Sequence, residues 1–160
     1  MRIGFDFDNT IIEYKDLFYK EALKHGFVKG KENPTKNTIR KHFVKLKKEE
    51  IFTEIQGEVY GNSIHQGTIS DELVSLMNKL HNEGHKIFIV SHKTLHPISG
   101  SKYNLREAAL SWLMKQSIFG ENKPINRKNI FFESTKEEKT KRVEQLKINI
   151  YVDDLVEILE

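Results

Sequence analysis

Gly4-Phe5-Asp6-Phe7-Asp8-Asn9-Thr10-Ile11 follows a lead of only three residues, Met1-Arg2-Ile3, and decides how the rest of the chain is read. Ile3, Phe5 and Phe7 alternate with Gly4 and Asp6, the period of a strand, so the chain opens on a strand that ends in acid. In extended backbone Asp6 and Asp8 fall on one side, roughly 6–7 Å apart. Two carboxylates that close repel each other unless a cation neutralises them or one holds a proton. A hard cation such as Mg²⁺ takes one or two carboxylates together with substrate phosphate oxygens. The plainer alternative is a polar turn closing an edge strand, since Asp, Asn and Thr are common turn residues.

Two later segments weigh against the plain turn. Lys86-Ile87-Phe88-Ile89-Val90-Ser91 is an apolar strand ending in a hydroxyl, and Ile148-Asn149-Ile150-Tyr151-Val152-Asp153-Asp154 is one ending in two acids. Helical patterns lie between the strands. Tyr14, Leu17, Phe18 and Leu23 predict a helix over 11–26 closed by Gly26, with a loop over 29–35. Ile39, Phe43, Leu46 and Ile51 predict a second, very basic helix over 37–52, and Gly57, Gly61 and Gly67 mark 56–67 as a flexible return.

Further on, Ser70 can cap a helix with Asp71 and Glu72 in its first turn, Leu73, Val74, Met77 and Leu80 on one face, and Gly84 past its end. Another helix is expected over 105–119, with Ala108, Ala109, Trp112 and Leu113 as its buried stripe. A short strand at 129–132, a helix at 136–146 and a strand at 148–152 follow. Strands alternating with helices imply crossover connections and hence an α/β fold, a Rossmann-like parallel sheet flanked by helices. In such sheets ligands bind beyond the carboxyl ends of the strands, where Asp6, Ser91 and Asp153 all fall. Residues 1–13 plus 67–160 then form the α/β core, and 14–66 a small helical insert.

Asp6-x-Asp8-x-Thr10 after an N-terminal strand resembles the first motif of the haloacid dehalogenase-like (HAD) hydrolase superfamily. Its second motif, an apolar strand ending in Ser or Thr, is similar to Lys86–Ser91, and its fourth, an apolar strand ending in acid, to Ile148–Asp154. The third is a Lys on a helix, for which Lys139, fourteen residues before Asp153, is preferred to Lys136 without excluding it. The resemblance spans the chain apart from the insert, which stands where that family carries a cap that covers the site and selects the substrate. Asn9 departs from the Gly common at its position, tolerably, because Asn accepts unusual backbone angles.

The resemblance implies a Mg²⁺-dependent phosphatase acting on a small phosphorylated metabolite, a sugar phosphate or something nucleotide-like. Asp6 would be the nucleophile forming an aspartyl-phosphate, and Asp8 the general acid and base. Asn9, Thr10, Ser91, His92 and Lys139 would bind the phosphoryl group, His92 through its backbone N–H. Asp6, Asp8 (by its carbonyl), Asp153 and Asp154 would hold the metal, Asp153 directly. Consecutive strand residues point to opposite faces, so the other acid is expected to act through water. Ser91 as a nucleophile is the weaker alternative, because nothing near it resembles a Gly-x-Ser-x-Gly elbow. With oxygen donors alone Mg²⁺ is favoured over zinc, and His81, His85, His92 and His96 form no metal-ligand spacing on one helix.

Composition bounds the rest. The 160 residues, 38% apolar and 31% charged, suffice for one domain with a core and an appendage. No apolar run approaches a membrane span, and Asp6 lies too near Met1 for a cleaved targeting peptide, so a cytoplasmic protein is expected. The absence of cysteine excludes disulfides and thiolate metal sites. The chain ends six residues after Asp154, a minimal core or a shortened one. The net charge of +3 divides unevenly: eleven Lys/Arg against five Asp/Glu from Lys15 to Glu50, fifteen against eighteen elsewhere. A basic insert suits an anionic substrate, with Arg40, Lys41 and Lys45 as candidate contacts, though charge runs usually just solvate a helix. Two other readings remain: a phosphomutase using the same aspartates, and, less favoured, a nucleic-acid binder using the insert with Phe43, Phe52 and Tyr60 for stacking. The oligomeric state is not legible.

Overall fold

A computed structural model describes residues 1–27 and 34–154, which fall into two compact units. The first comprises Met1–Glu13, Thr68–Thr94 and Leu110 onward; the second comprises Tyr14–Gly67 and Leu95–Ala109. Leu95–Ala109, expected in the core, thus belongs to the second unit. The loop expected at 29–35 lies mostly outside the described residues, as does the chain after Asp154.

In the first unit β1 (Arg2–Phe5), β2 (Lys86–His92), β3 (Ile130–Glu133) and β4 (Ile150–Val152) form one parallel sheet in the order β3-β2-β1-β4. Ile3 of β1 pairs with Ile87 on one side and Ile150 on the other, which aligns the carboxyl ends of the strands. Central strands of a parallel sheet are covered on both faces and read as continuous apolar runs. β2 fits: it is buried from Ile87 to Ser91 and exposed only at Lys86 and His92. Phe7, just beyond β1, is fully buried and meets the rings of Trp112 and Phe132 edge-on at 5.8 and 5.9 Å. Gly4 is required by close approach, since a Cβ there would lie 2.7 Å from Ile148 and 2.8 Å from the Tyr151 ring. Over that bare backbone Tyr151 extends from β4 past β1, and its hydroxyl donates to the Val90 carbonyl on β2.

Two helices flank this sheet, α4 (Asp71–Asn82) against β2 and α6 (Lys136–Gln145) against β2 and β3. Each has a side-chain cap: Ser70, as expected, accepts from the Leu73 N–H, and Thr135 from the Glu138 N–H. α4 turns only Met77 fully inward, with Leu73, Val74 and Leu80 half-buried beside it.

The second unit packs α1 (Leu17–Lys24), α2 (Lys36–Lys45) and α3 (Glu49–Tyr60) against one another around Tyr14, Phe18, Ile39, Phe43, Phe52 and Ile55. Three expectations change here. The first helix starts six residues late, because the N–H groups of both Ile11 and Ile12 donate to the Phe7 carbonyl and close a tight turn. Asn9 within that turn has φ 59°, and Glu13 then pairs with Thr68. The single basic helix is two: Lys47 takes φ 56°, a conformation that ends a helix, and the fold-back lets Phe43 and Phe52 share one core. The supposed flexible return is the end of α3 followed by a 3-10 turn at Ile64–Gln66. Its glycines mark contact rather than freedom. A Cβ on Gly57 would come within 2.8 Å of Pro97, and one on Gly61 within 2.6 Å of Tyr103.

The helix expected over 105–119 stops earlier, as α5 (Leu105–Leu113). Residues 118–125 then form a turn in which Ile118 and Ile125 are fully buried. No helix among the described residues is long and apolar enough to cross a membrane.

Candidate active site

The carboxyl ends of the first unit's strands gather four chemical groups from four elements. Asp6 directly follows β1, with its N–H donating to the Val152 carbonyl of β4 at 2.8 Å, so the backbone that carries its carboxylate is fixed by the sheet. Ser91 lies on β2, Lys139 on α6, and Asp153 just past β4. Lys139 joins them: its ammonium donates to Asp6 Oδ1 at 2.7 Å and to Asp153 Oδ2 at 2.6 Å. It is the only buried residue of α6, while Lys136 is exposed. A helix otherwise lined with charge therefore turns one lysine inward, and the two carboxylates it finds there explain why.

Asp6 is 5% exposed, and burial pushes its carboxyl up to about 6, against the opposing pull of Lys139's charge and hydrogen bond. The charge on Asp8 adds to the rise. Ser91 is close enough to favour ionised Asp6 slightly, yet its Oγ is buried without a hydrogen bond of acceptable geometry. The Thr10 hydroxyl is likewise buried with no partner. Buried polar groups are nearly always satisfied, so two orphaned hydroxyls, on the residues read as phosphoryl-binding, are notable.

Asp6, Asp153 and Asp154 each offer an oxygen within 4.8 Å of the others, a grouping that could hold a cation. The two consecutive acids reach one point because β4 ends at Val152 and Asp154 sits in a bend, where strand alternation no longer applies. The donors are all oxygen, the set a hard divalent cation takes. Asn9 steadies Asp154 by donating from Nδ2 to Oδ2 at 3.3 Å. Tyr151 lies beneath the group, with the Lys139 ammonium 5.5 Å from its ring centroid, and burial raises its hydroxyl far above the ordinary range.

Other candidates stand elsewhere. The His92 ring is exposed and its Nε2 lies 3.0 Å from the Ser134 carbonyl, which leaves only its backbone for the role read from sequence. Arg40, Lys41 and Lys45 are exposed on α2 in the second unit, with Arg40 3.8 Å from Glu49. Phe43 and Phe52 are buried in that unit's own core and offer no stacking surface.

One residue escaped the sequence reading. Lys93, 3% exposed, contacts both carboxylate oxygens of Asp8, at 3.1 and 2.8 Å. The signal was present, because Lys93 is two residues beyond Ser91 and strand alternation puts both on one side.

No family model matches the chain, and no curated protein does. Two solved structures resemble it in fold. One is a HAD-superfamily hydrolase from Ehrlichia chaffeensis, 15% identical, with a TM-score of 0.48 over 99% of this chain and 80% of that one. The other is a presumed phosphatase from Clostridium difficile, 13% identical, with a TM-score of 0.44 over 99% of this chain and 95% of that one. What the site can do chemically is carried by its own geometry.

Proposed function

We propose that the protein is a phosphatase that hydrolyses a small phosphorylated metabolite through an aspartyl-phosphate on Asp6, with Mg²⁺ as its cofactor. The observation that carries this reading is the Lys139 ammonium bonded at once to Asp6 and Asp153, beside the oxygen cluster of Asp6, Asp153 and Asp154. An attacking carboxylate, a fixed positive charge and donors for phosphoryl oxygens are what transfer to a carboxylate needs. The resemblance of the three strand-end motifs to the HAD hydrolases points the same way.

Asp6, Asp153, Asp154 and the Asp8 carbonyl would hold Mg²⁺, which would supply charge neutralisation at the phosphoryl oxygens. The chain's own residues do the rest. Lys139 holds Asp6 in place and balances the charge of the transferring group. The Ser91 and Thr10 hydroxyls donate to phosphoryl oxygens, which ends their isolation. An Asp6 oxygen bonds to phosphorus while the bond to the leaving oxygen breaks, and Asp8 protonates that oxygen. Water then attacks phosphorus and yields its proton to Asp8. The bond to Asp6 breaks, releasing inorganic phosphate. The second unit acts as the cap, with Arg40, Lys41 and Lys45 drawing the anionic substrate.

The test is a panel of phosphorylated metabolites, including sugar phosphates and nucleoside monophosphates, assayed for free phosphate with Mg²⁺ and with chelator. Mg²⁺-dependent release abolished by Asp6→Asn is expected. Phosphorylated product without free phosphate would mean a mutase instead, and no turnover of any member would end the enzymatic reading.

A further inference from the structure

The two aspartates of the opening motif each have a buried ammonium partner, and only the one on Asp6 has so far been given a task. We propose that Lys93 is a positioning residue that fixes the Asp8 carboxylate at the point of proton transfer, an inference that rests on the phosphatase reading. Lys93 follows the end of β2, and its N–H donates to the Glu133 carbonyl at 2.8 Å, which extends the β2–β3 ladder by one bond and holds its backbone still. Its side chain runs inward, 5.3 Å from the centroid of the fully buried Phe7 ring, and ends between the two Asp8 oxygens.

Asp8 needs such a clamp. It lies beyond β1 in the turn closed on the Phe7 carbonyl, with its backbone bridged to Ile12. Its side chain is 16% exposed, and the ammonium meets both of its oxygens. A proton donor must come within about 2.6–3.2 Å of the oxygen it serves. A misplacement of about 1 Å can cost on the order of 10²-fold in rate. Contact with both oxygens restricts rotation of the carboxylate as well as its reach. The ammonium is held against both Asp8 oxygens, so its effect on the substrate is exerted through Asp8.

The test compares Lys93→Met, Lys93→Arg and Asp8→Ala, alone and combined, on an alkyl phosphate and on p-nitrophenyl phosphate, with Mg²⁺. An alkoxide leaving group needs protonation and p-nitrophenolate scarcely does. Lys93→Met should lower kcat on the alkyl phosphate by about 10²-fold with KM little changed, and on p-nitrophenyl phosphate by less than about fivefold. Lys93→Arg should recover much of the loss, and Asp8→Ala/Lys93→Met should be no slower than Asp8→Ala. Equal losses on both substrates, or losses that multiply in the double variant, would reduce Lys93 to a structural ion pair and overturn the proposal. If Lys93→Met fails to fold, Lys93→Arg and the double variant, which leaves neither charge unpaired, decide by the same comparison. A wild type active on both substrates with Lys93→Met unchanged refutes the role of Lys93 alone. A wild type inactive on both removes the phosphatase reading and this inference with it.

Discussion

Replacing Asp6 with Asn should stop turnover and at the same time make the metal-free protein more stable at neutral pH. The amide keeps the shape of the carboxylate but not its charge. Burial lifts the Asp6 carboxyl from 3.8 to about 6, so the folded state holds its proton more tightly than the unfolded chain does. Between those two values the native state binds more protons, and stability falls as pH rises. Above pH 7 both states are ionised and the cost is complete, about 3 kcal/mol at 1.36 kcal/mol per pH unit. Below about pH 4 it vanishes. Asn resembles the protonated acid and does not pay this cost. In a domain of this size 1 kcal/mol moves Tm by about 2–4 °C, so Asp6→Asn should melt roughly 6–12 °C higher than wild type at pH 7.5 in chelator. The gap should close as the pH is lowered toward 4. Mg²⁺ should narrow it from the other side, because a cation bound only to the folded state stabilises wild type more than a variant lacking one ligand. Thermal melts by circular dichroism at three pH values, with chelator and with Mg²⁺, measure all of this. A variant that melts at or below wild type in chelator at pH 7.5 would show that Lys139 already repays the burial of Asp6, and the reasoning would fail.

Lys139→Met should do the opposite, leaving Asp6 and Asp153 buried without their shared cation, at about 3–5 kcal/mol in a chemical denaturation curve. Asp8→Ala should retain activity toward p-nitrophenyl phosphate while losing about 10²–10⁴-fold on poorer leaving groups, and equal losses would dismiss it as the acid. Arg40→Ala/Lys41→Ala/Lys45→Ala should raise KM for the best substrate of the panel with kcat less affected, and kcat/KM should fall as salt rises; indifference to both would leave a solvated face. Gly57→Ala, which in an open helix would stabilise by about 1 kcal/mol, should destabilise by about 1–3 kcal/mol as its methyl meets Pro97, read from the shift in denaturation midpoint.

Those elements whose signals are local were legible in advance. The strand ends at Asp6, Ser91 and Asp153 and the cap at Ser70 follow from period and spacing within a few residues, whereas the preference for Lys139 rests on the resemblance to the HAD motifs. What escaped depended on distant partners. The chain pattern could not show that the N–H groups of Ile11 and Ile12 would turn back onto Phe7 and delay the first helix. Nor could it show that Phe43 and Phe52, nine residues apart, would face one core only if the helix between them broke at Lys47. Gly57 and Gly61 have the composition of a flexible loop, yet their meaning lies in Pro97 and Tyr103, some forty residues away. Lys93 was passed over because a lysine at a strand end is ordinarily solvated, and only the turn after β1 brings Asp8 to it.

The inclusion of Leu95–Ala109 in the second unit has a consequence for anyone who would cut this protein apart. A module inserted at one place can be excised by joining two ends, and the antiparallel Glu13–Thr68 bridge marks where that join would be made. Here the chain crosses between units four times, and the last crossing falls inside α5, where no loop exists to cut. Deleting 14–67 would strip Pro97 and Tyr103 of the glycine surfaces they lie against, and Ser99 and Tyr103 of their hydrogen bonds to Glu54 and Glu58. What remained would be a core trailing a segment made to fit something missing. Transplanting or shuffling the second unit therefore requires both of its pieces to travel together.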